Sequence, residues 1–317
     1  MLRSDIMQTY DVVSYTNEHL SDERLAIALR VHTTVRQILG DFFRSRGFIE
    51  VPPVIISPLT DPLNHPVYDP YITYYDEKYA LTKSMIFHKH LLVSHFDKIF
   101  TFSPNIRIET PDKAETGRHL SEFTQIDVEA RGATREQMMS LVEDLMVELV
   151  SKVKEKHADD LRKLGRKLEV PRKPFRRYQY LEAEKEYGKD FEAVLSRKEK
   201  DMFWIIDIPL QAREFYDRED PSRPGILVDM DLIYPEGFQE ALSGGEREYQ
   251  LDRILERIKK KGQTEEQFKW YIEFARRGLP PSAGFGIGIE RLVRYICGFK
   301  RIDDVHPFPK VPGKFSL

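Results

Sequence analysis

The sequence predicts an α+β fold, because it combines two neighbouring strand patterns with several helical ones. The strand patterns are KIFTFSPNIRIE and SEFTQIDVEAR, in which apolar and polar side chains alternate with a period of two. The clearest helical patterns follow two capping boxes, Thr134 with Gln137 and Thr264 with Gln267, and their apolar side chains recur at helical spacing. The polar segment TPDKAETGRHL joins the two strands.

The first quarter of the chain begins with a helical pattern and continues into a segment without a clear period. Ser21, Asp22 and Glu23 are typical of a helix start, and apolar residues then recur at helical spacing until Gly47. FIEV predicts a short strand that two prolines end. The segment from Ser57 to Tyr79 is rich in proline and tyrosine, so we predict a long loop there, of a kind that often has a function.

The second strand pattern has one strongly polar face. Period-two alternation places Phe123, Gln125, Asp127 and Glu129 on one face and apolar residues on the other. In the first pattern Arg107 and Glu109 share a face. This polarity fits either a solvated sheet face or a binding site.

The second half of the chain alternates helices and strands. A basic stretch, KVKEKHADDLRKLGRKLEVPRKPFRR, follows the helix that Thr134 begins, and its alternating charge favours a solvated helix over a nucleic-acid surface. FWIIDIP and ILVDMDLIY have strand patterns, and a helix is predicted from about Glu246. Another helix is expected to end at Gly278.

Composition excludes several classes of function. The net charge of -3 argues against a dedicated nucleic-acid binder, and the single cysteine, Cys297, excludes an internal disulfide and a cysteine-cluster metal site. No apolar run reaches the roughly 18 residues that a membrane span needs, and the N-terminus lacks the apolar run of a signal peptide. We therefore expect a cytoplasmic protein without a membrane partner.

A glycine-rich segment near the C-terminus, PPSAGFGIGIERLVRYICGF, raises the question of a nucleotide loop. Gly284, Gly286 and Gly288 are two residues apart, and Arg291 follows the last of them. The segment lacks the βαβ context of a dinucleotide fingerprint and the G-K-[ST] of a phosphate loop. A strand that approaches a ligand and a strand that packs closely on its neighbours remain as alternatives.

Four separate stretches together resemble the class II aminoacyl-tRNA synthetases. RIE with RHLSEFTQIDVE resembles motif 2, GFGIGIER resembles motif 3, and RGFIEVPPVII resembles motif 1. QEALSGGER resembles the magnesium and substrate segment of the aspartyl and asparaginyl branch. The resemblance implies an antiparallel β-sheet flanked by helices, one catalytic domain over residues 1–317, and a homodimer formed through motif 1.

The resemblance also implies ATP and Mg²⁺ as cofactors and gives roles to individual residues. Arg107 and Arg291 would be catalytic, since fixed guanidinium groups stabilise charge that develops on the transferred phosphate. The ATP-binding residues implied are Arg107, Glu109, Arg118, His119, Phe123, Gly286, Gly288 and Arg291, and the magnesium ligands are Glu240 and Ser243. No general base is needed, because the attacking carboxylate is already ionised.

On the amino-acid side the resemblance implies Lys89, Gln125, Asp127, Arg247 and Ser84 as substrate residues. Two cations, Lys89 and Arg247, suit a dicarboxylate, which favours aspartate. This side also departs from the family. Met85 and Ile86 replace the proline and glutamine that usually follow Ser84, and the glutamate-glycine-glycine of the mobile substrate loop is absent.

Few residues precede the first predicted helix, so no anticodon-binding domain is expected. Cores of this kind resemble archaeal paralogues of asparaginyl-tRNA synthetase that make asparagine from aspartate, ATP and ammonia through a β-aspartyl-adenylate. We therefore expect that reaction, with aspartate bound in a reversed orientation and with tRNA binding disfavoured but not excluded. Two alternatives are a free-standing core that aminoacylates tRNA or a protein, and a catalytically silent regulatory paralogue. The presence of Arg107, Glu109 and Arg291 argues against the second.

Overall fold

The computed structural model describes residues 9–314 and 316–317, so the expectation about a signal peptide concerns residues 1–8, outside the described part. The helices are α1 (Thr9–Ser21), α2 (Glu23–Ser45), α3 (Ile86–Leu92), α4 (Arg135–Lys156), α5 (Ala158–Lys163), α6 (Tyr180–Tyr187), α7 (Phe191–Lys198), α8 (Leu251–Lys260), α9 (Lys269–Arg276) and α10 (Ile289–Cys297). The strands are β1 (Ile49–Glu50), β2 (Ile56–Ser57), β3 (Val67–Tyr68), β4 (Tyr71–Tyr74), β5 (Glu77–Leu81), β6 (Lys98–Ile106), β7 (Ile108–Glu109), β8 (Glu122–Arg131), β9 (Arg176–Gln179), β10 (Phe203–Ile206), β11 (Asp229–Tyr234), β12 (Gln239–Glu246) and β13 (Ser282–Gly288).

One eight-stranded sheet organises the fold, with the strand order β1-β6-β8-β13-β12-β11-β10-β9. Its central strands are antiparallel, and only the edge pairs β1 with β6 and β9 with β10 are parallel. The predicted pairing of the two strand patterns is confirmed, since Asp127 of β8 lies opposite Thr101 of β6. An antiparallel sheet flanked by helices is therefore the observed fold, as expected.

The helices α2, α4 and α10 cover one face of the sheet and form the main core with it. Ile126 and Val128 of β8 point into this core and are fully buried, while Asp127 and Glu129 point to the opposite face. Phe43 of α2 joins the layers through aromatic contacts that include the sheet residues Phe100 and Phe285. The back of the sheet is thus apolar, and its front carries the polar side chains.

The capping predictions are confirmed. Asp22 caps α2 by accepting the N–H of Arg24, and both halves of the capping box formed by Thr134 and Gln137 are present at α4. The box at Thr264 begins a short 3₁₀ turn that continues into α9. These local signals succeed because a cap satisfies backbone donors within a few residues of itself.

Three sequence predictions are wrong. A helix, α1, precedes the one predicted to be first. The segment from Ser57 to Tyr79 is not a loop but contains β3, β4 and most of β5, with a hairpin turn at Tyr75 and Asp76, both at positive φ. Neither turn residue is the glycine or asparagine that would have signalled a hairpin. The helix predicted from Glu246 begins at Leu251, because residues up to Glu246 pair with strands on both sides as β12.

Two short helices, α6 and α7, lie in a region for which the sequence patterns predicted no element. Each spans only eight residues, so its helical periodicity is weaker than that of the longer helices and is harder to recognise in the sequence. Among residues 9–314 and 316–317, no helix is both long enough and apolar enough to cross a bilayer.

Candidate active site

A cavity of about 410 Å³ opens on the polar face of the sheet, and a smaller one of about 50 Å³ adjoins it. Every residue that the sequence predicted for the site lines one or both of them. These residues are Ser84, Lys89, Arg107, Glu109, Arg118, His119, Phe123, Gln125, Asp127, Glu240, Ser243, Arg247, Gly286, Gly288 and Arg291. The sheet therefore brings together residues that are up to about 200 positions apart in the chain, as strand pairing allows.

Strand register explains how the polar face is built. One row across the sheet runs from Asp127 through Gly286 and Ser243 to Asp231. The row beside it runs from Glu129 through Gly284 and Gly245 to Asp229. In both rows the residue contributed by β13 is a glycine. Because glycine has no side chain, β13 leaves space above the sheet between the carboxylates of β8 and β11.

The glycines of β13 have different neighbours. A Cβ at Gly284 would lie 2.1 Å from Glu129 Oε2 and 2.1 Å from the carbonyl oxygen of Val128. At Gly286 it would lie 3.1 Å from Asp127 Oδ1, and at Gly288 its nearest neighbour would be 3.8 Å away, in Arg291. Gly284 therefore accommodates the protein's own Glu129 carboxylate, whereas a Cβ at Gly288, which lines the smaller cavity, would make only ordinary van der Waals contact. Close packing on a neighbouring strand therefore explains Gly284, and the approach of a ligand at Gly286 and Gly288 stays a prediction.

Arg107, Glu109 and Phe123 form one end of the cavity. Arg107 Nε donates to the carbonyl oxygen of Lys83 at 3.0 Å, and its guanidinium carbon lies 5.2 Å from the ring centroid of Phe123. Glu109 is buried, and its Oε1 lies 3.2 Å from His65 Nε2. Burial acts to raise the pKa of Glu109, but the hydrogen bond and charge of His65 outweigh it and lower the pKa.

Arg291, in the first turn of α10, reaches across this end of the cavity. Its Nη1 donates to Glu240 Oε1 at 2.7 Å, and its Nε donates to the carbonyl oxygen of Arg118 at 3.4 Å. Burial acts to raise the pKa of Glu240, but the guanidinium groups of Arg291 and Arg118 hold it at about 2. Burial and the same two arginines lower the pKa of His119 to about 3, so His119 is neutral near pH 7.

The two predicted magnesium ligands lie on β12 beside an acidic residue that the sequence analysis did not select. Ser243 pairs with Asp231 across the sheet, and Asp231 is buried. Glu240, ionised at neutral pH, contributes a hard oxygen. The carboxylates of Glu240 and Asp231 and the hydroxyl of Ser243 suit Mg²⁺. This ion is usually coordinated by a few protein oxygens, with water and phosphate oxygens completing its shell. The sequence did contain an indication of Asp231, since an acidic residue within the otherwise apolar strand pattern ILVDMDLIY is unusual.

The two predicted substrate cations, Lys89 and Arg247, are buried and already face carboxylates of the protein. Lys89 Nζ lies 2.9 Å from Asp127 Oδ1 and also donates to the carbonyl oxygen of Phe285 at 3.1 Å. Arg247 contacts Glu129 at 3.2 Å and Asp217 Oδ1 at 3.1 Å. Lys89 and Arg247 therefore do not favour a dicarboxylate, because both of their charges are already paired.

Sequence reasoning placed Glu129 on the polar face but gave it no role, and it missed Asp217 and Arg213. Burial acts to raise the pKa of Glu129, but Arg247 and Lys89 lower it, so Glu129 is ionised. Arg213 donates from Nε to Asp229 Oδ2 at 3.2 Å and from Nη2 to Asp231 Oδ1 at 2.5 Å.

Charge divides the cavity into two ends. At the Glu109 end, the lining cations Arg107, Lys113, Arg118 and Arg291 outnumber the carboxylates Glu109 and Glu240. At the opposite end, the cations Lys89, Arg213 and Arg247 lie among five carboxyl groups, those of Asp61, Asp127, Glu214, Asp217 and Asp229, and burial raises the pKa of the last three. One end thus suits a polyanion, and the other suits a ligand that brings positive charge or hydrogen-bond donors.

Residues 61–69 form a strap that spans the two ends of the cavity. Asp61 accepts a hydrogen bond from the Tyr216 hydroxyl at 3.0 Å, and Asn64 Nδ2 donates to the carbonyl oxygen of Ala212 at 2.8 Å. Within the same segment, β3 pairs with β7 next to the contact between His65 and Glu109. The segment predicted as a functional loop therefore does line the site, although as a strand-containing strap.

Comparison with known proteins decides the family. The family model of tRNA synthetases class II (D, K and N) matches residues 10–312. The chain belongs to this family. The class II synthetase resemblance that the motifs indicated is thereby confirmed, and the chain is a member of a ligase family.

Among curated relatives, the asparagine–tRNA ligase of Desulforamulus reducens is 31% identical over 299 residues, covering 89% of this chain and 68% of the relative. An enzyme of the same name from Thermus thermophilus is 30% identical over 316 residues, covering 92% of this chain and 71% of the relative. These findings contradict the expected asparagine synthesis from aspartate and ammonia. The expectation of disfavoured tRNA binding does not match these relatives either, since they are named as tRNA ligases.

Solved structures show the same fold. Asparaginyl-tRNA synthetase from Pyrococcus horikoshii, complexed with asparaginyl-adenylate, superposes with a TM-score of 0.88 at 24% identity, covering 98% of this chain and 74% of that one. The Entamoeba histolytica asparaginyl-tRNA synthetase gives a TM-score of 0.86 at 22% identity, covering 100% and 74%. At these identities the likeness concerns the fold alone.

Proposed function

We propose that this protein activates asparagine with ATP to form asparaginyl-adenylate and pyrophosphate, and then transfers the asparaginyl group to tRNA with release of AMP. The observation that carries the proposal is the division of one cavity into a cationic end and an acidic end. The named relatives, which are asparagine–tRNA ligases, support the same reaction.

The cationic end suits the triphosphate of ATP. In the activation step a carboxylate oxygen of the amino acid attacks the α-phosphorus, and the bond to pyrophosphate breaks. Negative charge gathers on the phosphate oxygens, so Arg107 and Arg291 stabilise the transition state. Arg118 binds the outer phosphates, with His119 as a neutral hydrogen-bonding partner. Catalysis is then mainly positioning and charge stabilisation.

The adenine end is formed by Glu109 and Phe123. The Phe123 ring stacks against the base, and Glu109 accepts a hydrogen bond from the adenine amino group. Gly286 and Gly288 keep the surface of the sheet low enough for the nucleotide to approach. Both glycines line the smaller cavity, which supports this role.

Magnesium fits the oxygen donors between the two ends. Glu240 and Ser243, with Asp231 beside them, would hold the ion together with phosphate oxygens. The ion would supply positive charge that neutralises the phosphates as pyrophosphate leaves.

The acidic end suits the amino acid. Asp127 and Gln125 bind the substrate ammonium and α-carboxylate, and the Arg247 guanidinium contacts the side chain. Since Lys89 and Arg247 already face carboxylates of the protein, a neutral carboxamide suits this end better than a second carboxylate. Ser84 acts more indirectly. Its hydroxyl accepts the N–H of Ile86 at 3.2 Å and positions the helix that carries Lys89.

In the transfer step a hydroxyl of the terminal tRNA ribose attacks the activated carbonyl carbon. An ester bond forms, the mixed anhydride bond to phosphate breaks, and AMP leaves. The cavity needs no further cofactor for this step.

We also propose a homodimer through the segment that resembles motif 1. Ile49 of the edge strand β1 is 50% exposed, and Ile55 is 51% exposed. Exposed apolar side chains on an edge strand and in the segment that follows it suit burial by a second copy. Light scattering after size-exclusion chromatography tests this, and a monomer at micromolar concentration contradicts it.

ATP–pyrophosphate exchange tests the activation step, with asparagine, aspartate and lysine compared at equal concentration. We expect exchange with asparagine and its loss in the Arg107→Ala variant. Charging of unfractionated tRNA then tests the transfer, with periodate-oxidised tRNA as the matched control. Exchange without charging points to another acceptor, and no exchange with any amino acid supports the silent paralogue.

A further inference from the structure

The two candidate magnesium ligands on β12, Glu240 and Ser243, are three residues apart, yet both line the larger cavity. In a regular strand such residues point to opposite faces of the sheet, because side chains alternate with a period of two. The pairing with β11 explains the exception. Glu240 and Leu242 lie opposite two consecutive residues of β11, so Ala241 between them has no partner there and forms a β-bulge.

The back of β12 shows the same bulge. Ala241 and Leu242 are consecutive, and both are buried in the main core behind the sheet. Regular alternation would place one of them on the site face. The bulge therefore directs Glu240 to the face that carries Ser243, so the position of Glu240 depends on the backbone that immediately precedes and follows it.

The turn between β11 and β12, residues 235–238, leads directly to Glu240 and has an uncommon conformation. Glu236 lies at φ 62° and Gly237 at φ 82°, and Gln239, the first residue of β12, lies at φ 64°. The left-handed region is unfavourable for residues other than glycine, so such a conformation persists only where surrounding contacts hold it.

Ser196 of α7 makes contacts of this kind. It is fully buried, and its Oγ donates to the carbonyl oxygen of Tyr234 at 2.6 Å and accepts the N–H of Gln239 at 3.0 Å. Tyr234 and Gln239 are the pair of residues that joins the two strands next to the turn. The carbonyl oxygen of Ser196 also accepts the N–H of Gly237 at 3.0 Å. Ser196 thus bonds the main chain on both sides of the turn and within it.

Arg166 holds the outer side of the same turn. Its Nη1 and Nη2 donate to the two carboxylate oxygens of Glu236, at 2.5 and 3.0 Å. Its guanidinium carbon also lies 5.7 Å from the ring centroid of Phe238. The Arg166 side chain is largely buried, so this paired contact is geometrically fixed.

Resting on the function proposed above, we propose that Ser196 is a positioning residue for Glu240. The Ser196 hydroxyl fixes the turn and the bulge, and these direct the Glu240 carboxylate to the place where Mg²⁺ would be held with the phosphates of ATP. Groups that orient a metal ligand without touching the metal often determine metal affinity. Since Ser196 does not line the described cavities, its hydroxyl acts through the main chain before Glu240 and not by contact with ATP.

The Ser196→Ala variant tests the proposal by calorimetry with ATP, once in excess Mg²⁺ and once in EDTA. Loss of the hydroxyl leaves Tyr234 and Gln239 without their bridge, so the turn relaxes and Glu240 is no longer held in one direction. We expect affinity for Mg²⁺–ATP to fall about 10-fold, with affinity for metal-free ATP within about twofold of wild type. Equal losses under both conditions, or no loss under either, would overturn the proposal.

Thr34→Val is the matched control for the loss of a buried hydroxyl. Thr34 lies on α2, outside both cavities, and its Oγ1 is 2.9 Å from His157 Nε2. Valine keeps the shape of the side chain, so we expect a lower melting temperature but both ATP affinities within about twofold of wild type. A selective loss of Mg²⁺–ATP affinity as large as that of Ser196→Ala would contradict the proposal, because stability and not position would then explain the effect.

Amide hydrogen exchange without ligand tests the hydroxyl bridge itself. Residues 235–241 should exchange at least about 10-fold faster in Ser196→Ala than in wild type, and unchanged protection would overturn the proposal. If Ser196→Ala is insoluble, Arg166→Met decides, since it removes the other hold on the turn. We expect a loss of about threefold for Mg²⁺–ATP alone, and an unchanged effect of Mg²⁺ would overturn the proposal.

These measurements separate the inference from the proposed function. If the protein supports no ATP–pyrophosphate exchange but Ser196→Ala selectively loses Mg²⁺–ATP affinity, the function fails and the positioning role stands. If exchange with asparagine proceeds and the variants leave the effect of Mg²⁺ unchanged, the function stands and the positioning role fails. A wild-type protein that binds ATP equally well with and without Mg²⁺ also overturns the positioning role.

Discussion

Arg291 Nη1 lies 2.7 Å from Glu240 Oε1, which joins the helix after the glycine-rich strand to the candidate magnesium ligand on β12. The Arg291 side chain is 23% exposed and that of Glu240 is 41% exposed. An ion pair with this much solvent contact contributes little to stability. We therefore expect the pair to matter for the use of ATP and not for folding.

Arg291→Gln should lower kcat/KM for ATP in the exchange reaction about 100-fold or more, because a donor to the transferred phosphate is lost. The melting temperature should change by no more than about 2 °C. Arg276→Gln, at an exposed arginine outside the cavity, is the matched control and should keep full activity. An exchange rate within twofold of wild type for Arg291→Gln contradicts the proposed role.

Gly284→Ala and Gly288→Ala should behave differently although both lie on β13. The first places a Cβ against Glu129 and a strand carbonyl, so it should destabilise the fold by several kcal/mol or prevent soluble expression. The second meets nothing nearer than 3.8 Å, so it should fold normally and raise the KM for ATP. Chemical denaturation and exchange kinetics measure the two effects. Equal stability of the two variants contradicts the predicted difference.

Glu290 should make stability depend on pH. Burial raises the pKa of Glu290 from its ordinary value of 4.5 to about 7, although the backbone N–H groups of Glu290 and Thr124 act to lower it. The folded state therefore binds the proton more tightly than the unfolded state. The resulting stability is fully present below about pH 4.5 and is lost as pH rises through about 7.

The Glu290→Gln variant, which stays neutral, tests this dependence in the absence of ligands. At pH 8 its free energy of unfolding should exceed that of the wild type, by on the order of 2 kcal/mol, and the difference should vanish near pH 4.5. A difference that is independent of pH between these values would show that Glu290 is not the group that titrates.

Phe43→Ala should destabilise the fold by about 3 to 5 kcal/mol, because it removes a fully buried ring that contacts Phe48, Phe100 and Phe285. Urea denaturation measures the loss. Phe96→Ala, at a phenylalanine that is 40% exposed, is the control and should lose less than about 1 kcal/mol. Similar losses at both positions would contradict the layered core.

Local signals were enough for much of the fold. The capping residues Asp22 and Thr134 and the alternation around Asp127 were recognisable because each acts over a few residues. The hairpin at Tyr75 and Asp76 was not recognisable, since its turn residues are uncommon at positive φ. The start of α8 was predicted too early, at about Glu246, because only pairing with two neighbouring strands shows that the chain is still a strand there.

The expected chemistry failed for a different reason. Lys89 and Arg247 were recognised as substrate residues, but their partners Glu129 and Asp217 were not. Arg247 and Glu129 are 118 positions apart. A sequence motif identifies a cationic residue but not the carboxylate that contacts it in the fold. Aspartate was therefore favoured on the charges of Lys89 and Arg247 alone, without the carboxylates that already neutralise them.

The sequence by itself determined the family and identified residues that line the cavity, because motifs such as RHLSEFTQIDVE and GFGIGIER are short and contiguous. Only the tertiary structure decided how the charges are balanced. Strand register places Asp229 and Glu129 on either side of Gly245 and Gly284, and it leaves Asp229 Oδ1 without a donor in the described protein. Pairing and burial depend on contacts between distant strands, which a local sequence pattern does not show.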